Sequence, residues 1–267
     1  MLNGKTIGFI GGGNMAEAII AGLISTGAAH PSAVRVAEPV DSRRSYLSDK
    51  YRIACTPNNN DVTANSDIIV LAIKPQQFDE AVAGLNFKSG ALVLSILAGT
   101  RTAKIEKSAG PHVRVVRVMP NTPALVGEGM AGIAAGQSAT ADDTAVASYI
   151  FDKLGKSVVV DESQIDLITG VSGSGPAYVF YLVEALRDAA VALGMDSKKA
   201  DTLARQTFYG SVKLLEESGE DPESLRRKVT SKGGTTERGI SILDANNVKD
   251  IMKQVVSGAT QRSKELS

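Results

Sequence analysis

The stretch at residues 5–24, KTIGFIGGGNMAEAIIAGLI, constrains the fold of this chain more than any other feature. Residues 5–10 are mostly apolar and rich in isoleucine, which is typical of a buried parallel strand. Three glycines follow, and apolar residues then recur at helical spacing. A strand, a glycine turn and a helix are the context in which the pattern G-x-G-x-x-G/A indicates a dinucleotide site. The sequence therefore predicts that a Rossmann half-domain begins here.

Each small residue of this pattern has a physical role. Gly11 permits the tight turn, Gly13 lets a pyrophosphate approach the backbone, and Ala16 keeps the helix close to the strand. The phosphates would bind the free N–H groups at the positive end of the helix. A purely structural glycine turn is the alternative, and the flanking strand and helix favour the dinucleotide site.

Composition narrows the class of protein. The 267 residues suffice for one large domain or two smaller ones, and 29 basic and 29 acidic residues give no net charge, which argues against a nucleic-acid partner. The apolar runs are too short to span a bilayer, and a first strand beginning by residue 5 leaves no room for a signal peptide. A single cysteine, Cys55, allows no internal disulfide. We expect a cytoplasmic protein without a membrane partner.

Histidine and metal chemistry are not indicated. The two histidines, His30 and His112, are far apart in sequence and have no cysteine or carboxylate cluster nearby. We therefore expect neither a metal site nor a histidine-activated nucleophile. The chemistry is expected to come from a cofactor.

The second predicted strand, residues 34–38, ends in Glu38. A carboxylate at this position usually binds a ribose 2′-hydroxyl and favours NAD. Arg43 and Arg44 follow closely and offer the opposite possibility, neutralisation of the 2′-phosphate of NADP. The residues alone leave the choice of cofactor open.

Further strands are predicted where apolar runs end in prolines or flexible residues. They cover residues 67–75, 91–99, 113–123, 130–135 and 157–160. In an open α/β sheet, ligands bind beyond the carboxyl ends of the strands. Four such ends would meet at one crevice, bringing together Gly11, Lys74, Gly99 and Asn121.

Beyond Asp161 the strand signal disappears. The sequence predicts an α/β fold with a Rossmann-type doubly wound sheet in residues 1–161, followed by an all-helical domain in residues 162–267. Residues 178–183 are apolar on every face of their predicted helix, which must therefore be covered all round. So few helices make a thin core, and we expect this domain to pack against a second subunit.

Two glycine loops lie in or beside the helical part. The first is GVSGSGPAY at residues 170–178, and the second is TSKGGTTERG at residues 230–239. Glycines and two threonines at a helix start offer amides, a positive dipole and hydroxyls, which together can hold an anion. A capped turn without a ligand is equally compatible with this pattern.

At these loops the chain resembles the pyrroline-5-carboxylate reductases. The shared stretches are FIGGGNMAEAI, AIKP, MPNTPA, GVSGSGPAYVF and VTSKGGTTERG, and the likeness extends from about residue 5 to residue 265. The resemblance implies hydride transfer from NADPH, or alternatively NADH, to the C=N carbon of a cyclic imino acid, the last step of proline biosynthesis. It also implies a homo-oligomer, a dimer or a multiple of dimers.

The resemblance further implies roles for individual residues. The pyrophosphate would contact Gly11, Gly13 and Asn14, and the adenosine end would approach Asn59. The nicotinamide side would be lined by Ala72, Lys74, Ala98 and Asn121. The remaining cofactor-side positions are Met15, Glu38, Pro75 and Gly99. The substrate would be positioned by Ser231, Gly234, Thr235 and Thr236, with its carboxylate on backbone amides and the Thr236 hydroxyl at the ring nitrogen. Glu162 matches a further position near the substrate.

Two departures from the family pattern stand out. Lys232 replaces the usual proline of the second glycine loop, and Glu38-Pro39 replaces the Asn-Arg or Ser that many members carry after the second strand. The second departure bears on the usual preference of the family for NADPH.

Two other functions share part of this sequence pattern. A β-hydroxyacid dehydrogenase, or another imine reductase, has a similar outline. The β-hydroxyacid enzymes, however, place a catalytic lysine one turn past the junction loop, where this chain reads Pro176 to Val179. A non-catalytic oligomer that senses NAD(P) would have no use for the second loop, residues 230–239, which we call the glycine-threonine loop.

Overall fold

Eight strands form the framework of the protein, whose computed structural model describes residues 1–266. They are β1 (Ile7–Ile10), β2 (Val34–Ala37), β3 (Ala54–Thr56), β4 (Ile68–Leu71), β5 (Leu92–Ser95), β6 (Arg114–Met119), β7 (Gly129–Ala135) and β8 (Gly155–Val159). All lie in one sheet, in the order β3-β2-β1-β4-β5-β6-β7-β8.

The first six helices alternate with the strands, and the six that come after β8 follow one another without further strands up to residue 266. They are α1 (Asn14–Ser25), α2 (Asp41–Tyr51), α3 (Asn59–Thr63), α4 (Phe78–Val82), α5 (Thr102–Ala109), α6 (Ala141–Phe151), α7 (Ile165–Ile168), α8 (Gly175–Ala192), α9 (Ser197–Ser218), α10 (Pro222–Lys228), α11 (Thr235–Ala245) and α12 (Val248–Glu265).

The direction of the strands creates a crevice. The first six strands run parallel. β2 and β3 are added on one side of β1, and β4 and the later strands on the other side, so the strand order reverses at β1. Such a switch point leaves an opening at the carboxyl ends of the strands. Every residue of β1, β4 and β5 is buried, as their continuous apolar runs predicted.

The predicted fold class is confirmed, with two differences of detail. β3 has only three residues, too few for a periodic signal, and it was not predicted. β7 pairs antiparallel with β6, whereas β8 runs parallel to β7. The local sequence of β7 does not reveal its direction, because that direction is fixed by pairing with β6 and β8.

Two compact units are present. The first comprises Met1–Ser174 together with the end of α12 from Ser257 onward, and the second comprises Gly175–Val256. Within the second unit, α8 and α9 pack together and bury Ala200 and Ala204 of α9. The predicted domain boundary after Asp161 stays a prediction.

Candidate active site

The turn after β1 has a geometry that only glycine accepts. Gly11 has φ +94°, and a Cβ atom there would lie 2.7 Å from the carbonyl oxygen of Ala72. The two neighbouring strands hold the turn in place, because Gly11 N donates to Ala37 O at 2.8 Å and Ala72 N donates to Ile10 O at 2.8 Å. The chain therefore leaves the sheet tightly and enters α1.

The start of α1 fits a pyrophosphate. Gly13 is the N-cap, and no side chain within residues 1–266 caps the helix. A Cβ atom on Gly13 would meet nothing within 4 Å in that part of the chain. The first amides of α1, those of Asn14 and Met15, have no helical acceptor and lie at the positive end of the dipole. Open space, amide donors and positive potential are what a phosphate requires.

A cluster of polar side chains joins α1 to α2 beside this turn. Glu17 accepts hydrogen bonds from Arg43 at 2.6 Å and from Tyr46, Lys50 and Tyr51 at 2.9 Å. Burial raises the pKa of Glu17, but these four donors outweigh it and lower the pKa to about 2. Glu17 is therefore ionised throughout the neutral range and fixes the two helices to each other.

The other strand ends lie along the same edge of the sheet. β1, β4, β5 and β6 are consecutive neighbours, so the residues that follow them are brought side by side, as predicted. Lys74 and Ala98 are exposed, whereas Ala72 and Pro75 are half-buried. Their contacts with a nicotinamide stay a prediction.

Asn59 and Asn121, which were predicted to contact the cofactor, form side-chain hydrogen bonds with the protein backbone. Asn59 Nδ2 donates to Ala81 O at 3.0 Å. Asn121 is 9% exposed; its Oδ1 accepts from Met130 N at 2.8 Å and its Nδ2 donates to Ser172 O at 3.0 Å. Asn121 therefore fastens the loop after β6 to the GVSGSGPAY loop.

Glu162 is also bound within the protein. Its carboxylate accepts from Thr102 N at 2.8 Å and from Thr102 Oγ1 at 2.9 Å, and it faces Arg117 Nη1 at 3.5 Å. Arg117 is 2% exposed and lies 3.9 Å from Asp166. These groups line a cavity of about 430 Å³ whose walls are formed by Arg101, Arg117, Glu162, Ser163, Asp166 and Lys264.

The glycine-threonine loop lies in the second unit. α11 begins at Thr235 with Gly234 as N-cap, and among the described residues no side chain caps it. Gly233 N donates to Glu237 at 2.7 Å and Gly234 N donates to Ser231 O at 3.0 Å. The first amides of α11, those of Thr235 and Thr236 among them, therefore have no helical acceptor and can bind a ligand, and both threonine side chains are exposed.

Residues 1–266 contain neither a candidate metal cluster nor a candidate membrane-spanning helix. No group of three or more His, Cys, Asp or Glu side chains is placed to hold a metal ion. None of the helices has the length and apolar character that crossing a membrane requires.

Comparison with known proteins identifies relatives over nearly the whole chain. Residues 162–266 match the family described as pyrroline-5-carboxylate reductase dimerisation, and residues 6–99 match NADP oxidoreductase coenzyme F420-dependent. The pyrroline-5-carboxylate reductase of Synechocystis sp. is 43% identical over 263 residues, which cover 97% of each chain.

Solved structures of pyrroline carboxylate reductases have the same fold as this chain. The pyrroline-5-carboxylate reductase of Coxiella burnetii has a TM-score of 0.92 and 36% identity over 99% of each chain. The Plasmodium falciparum pyrroline carboxylate reductase, solved with NADP bound, has a TM-score of 0.87 and 29% identity over 98% of each chain. This chain belongs to the pyrroline-5-carboxylate reductase family. It is an NAD(P)H-dependent oxidoreductase, and the match of residues 6–99 supports use of NADP(H).

The sequence interpretation missed one prominent residue of this reductase. Arg117 lies in the middle of the apolar run VRVVRVM, and a charge inside a buried strand requires a carboxylate partner. Glu162 and Asp166, four residues apart, are the carboxylate partners of Arg117. Burial lowers the pKa of Arg117, and the two carboxylates oppose this shift.

Proposed function

We propose that this reductase converts 1-pyrroline-5-carboxylate to L-proline, the last step of proline biosynthesis. One observation carries the proposal: a single chain contains a glycine turn fitted to a pyrophosphate and an exposed helix start built from Gly234, Thr235 and Thr236. NAD(P)H, when bound, supplies the hydride. Residues 1–161 are proposed to bind the cofactor, and residues 162–267 to bind the substrate and a second subunit.

The substrate needs little help from acid or base. An imine protonated on nitrogen is already electrophilic, so the protein has chiefly to orient it and to exclude water. We assign the substrate carboxylate to the amides of Thr235 and Thr236, with support from Ser231, because a helix start favours an anion. The Thr236 hydroxyl then accepts from the N–H of the protonated ring.

The loops after β4, β5 and β6 are proposed to line the nicotinamide side, through Ala72, Lys74, Ala98 and Asn121. Their support is their position at neighbouring strand ends. For Glu162 we propose an indirect role, because its carboxylate is already held by Thr102 and Arg117.

We propose a homodimer or a multiple of dimers. A cytoplasmic location is supported by the single cysteine, because disulfides are rare in that compartment. The balanced charge of the chain speaks against a nucleic-acid partner.

The test is consumption of NADPH, followed by absorbance, with 1-pyrroline-5-carboxylate as substrate. The proposal predicts rapid, saturable oxidation of NADPH and formation of proline. A β-hydroxyacid dehydrogenase would instead reduce NADP⁺ with a β-hydroxyacid. A nucleotide sensor would bind NADPH and turn over neither substrate.

A further inference from the structure

We propose that Glu38 sets the nucleotide preference of this enzyme, accepting hydrogen bonds from the adenosine ribose and disfavouring a 2′-phosphate. NADP(H) is still used, but NAD(H) binds more tightly. The inference rests on the proposed function in one respect, that the dinucleotide lies on the glycine turn before α1.

The carboxylate of Glu38 is held at the rim of that turn. Its Oε2 accepts from Gly12 N at 2.9 Å, and its Oε1 accepts from Val40 N at 3.0 Å. Glu38 immediately follows β2, where Rossmann proteins place the group that reads the ribose. The side chain is therefore positioned before any nucleotide arrives.

The charge of this group decides what it can bind. An ionised carboxylate only accepts hydrogen bonds, and after two backbone amides it still has lone pairs for two ribose hydroxyls. A 2′-phosphate has acceptor oxygens and about two negative charges at neutral pH, so it cannot donate to Glu38 and is repelled by it.

The two arginines nearby are already paired within the protein. Arg43 Nε donates to Gly12 O at 2.6 Å, and its Nη2 donates to Glu17 at 2.6 Å. Arg44 Nη1 donates to the carbonyl oxygens of Glu38 and Pro39 at 2.8 and 2.7 Å, and its Nη2 donates to Asp41 at 2.8 Å. Both guanidinium groups brace the loops around Glu38.

If Arg43 turned toward a phosphate, it would lose its hydrogen bonds within the polar cluster around Glu17. Its partner Glu17 is 15% exposed and is also bound by Tyr46, Lys50 and Tyr51. A phosphate would have to replace both the Glu17 pair and the bond to Gly12 O. Neither Arg43 nor Arg44 is therefore free to offset the charge of Glu38.

The experiment measures binding without turnover, by isothermal titration calorimetry of the full-length protein. The two probes are ADP-ribose and 2′-phospho-ADP-ribose, which differ only in the 2′-phosphate. We expect the unmodified enzyme to bind ADP-ribose at least about 10-fold more tightly. Glu38→Gln keeps the shape and one acceptor but removes the charge, and it should reduce this ratio by about 10-fold or more.

Asp49→Asn is the matched control, because it removes one negative charge from an exposed position of α2, the helix that follows Glu38. It should leave the ratio within about twofold. Glu38→Ser provides a second variant if Glu38→Gln does not fold, as judged by its circular-dichroism spectrum and melting temperature.

Several results would overturn the inference. They are a wild-type preference for 2′-phospho-ADP-ribose, an equal change for both probes in Glu38→Gln, and a loss confined to the phosphorylated probe in Arg43→Ala or Arg44→Ala. Equal, tight binding of both probes would reject the role of Glu38 and leave the proposed function standing. Binding of neither probe would reject the dinucleotide site itself, and both proposals with it.

Discussion

Thr236 is the second residue of α11, and its exposed hydroxyl is the proposed partner of the substrate nitrogen. Thr236→Val keeps the shape of the side chain and deletes this hydrogen bond. For a charged partner the loss should be about 1.5–3 kcal/mol, which corresponds to a fall of roughly 10- to 150-fold in kcat/KM for the imine. Steady-state kinetics and nucleotide titrations on the same preparation measure the effect.

Thr235→Val is the control for Thr236→Val, because we assign only the backbone amide of Thr235 to the substrate. It should retain kcat/KM within a few-fold. Unchanged kcat/KM in Thr236→Val, or a parallel loss of cofactor affinity, would show that the substrate is placed wrongly.

Gly99 gives a prediction about stability. It has φ +68°, and a Cβ atom there would lie 2.6 Å from the carbonyl oxygen of Leu266. Gly99→Ala therefore combines backbone strain with a clash against main chain, and should destabilise the protein by about 2–5 kcal/mol. Gly90→Ala is matched in backbone conformation, at φ +73°, but meets nothing within 4 Å among the described residues.

Gly90→Ala should therefore lose stability through backbone strain alone, by about 1–2 kcal/mol. Denaturant unfolding of both variants separates the two effects. Equal destabilisation would mean that Leu266 does not rest against Gly99 in solution.

The residues with an unusual backbone conformation were predictable from the sequence, because glycine patterns report directly on backbone geometry. The partners of Glu162 and Asn121 were not predictable. Thr102 and Ser172 lie 60 and 51 residues away from them in sequence, and such pairings arise only when the sheet has formed.

At the scale of elements, one carboxylate, that of Glu17, joins α1 to α2. The pKa of Glu17 is lowered from 4.5 to about 2, so its ionised form stabilises the folded state above about pH 4.5 and this contribution is lost as the pH falls toward 2. Glu17→Gln should destabilise the enzyme by about 1–3 kcal/mol at neutral pH.

The difference between Glu17→Gln and the unmodified enzyme should shrink steadily below pH 4.5. Urea unfolding at a series of pH values down to about pH 3.5 measures it. A difference that stays constant with pH would show that Glu17 contributes through packing and not through charge.

The elements themselves were predictable to different degrees. Strands with continuous apolar runs, such as β4 and β5, and helices with clear caps, such as α10 with Asp221 at its N-cap, were found from sequence. The short β3 and the reversed direction of β7 were not, because both depend on neighbouring strands.

At the scale of the whole molecule, the surface of α8 indicates a second subunit. Its apolar residues are exposed in the single chain; Phe180 is 66% and Tyr181 71% exposed. Apolar surface of this extent normally marks a protein interface, and residues 162–266 match a dimerisation family. We predict a dimer or a multiple of dimers at micromolar concentration, to be measured by analytical ultracentrifugation. A stable and active monomer would refute this.

In the proposed reaction, a hydride passes from the reduced nicotinamide to the C=N carbon of 1-pyrroline-5-carboxylate. The most direct measurement supplies NADPH carrying deuterium at the transferred position and analyses the proline by mass spectrometry and NMR. We predict one deuterium per molecule, located on the former imine carbon, with none entering that carbon from deuterated solvent when unlabelled NADPH is used. Proline without the label, or labelled from the solvent at that carbon, would contradict direct hydride transfer from the cofactor.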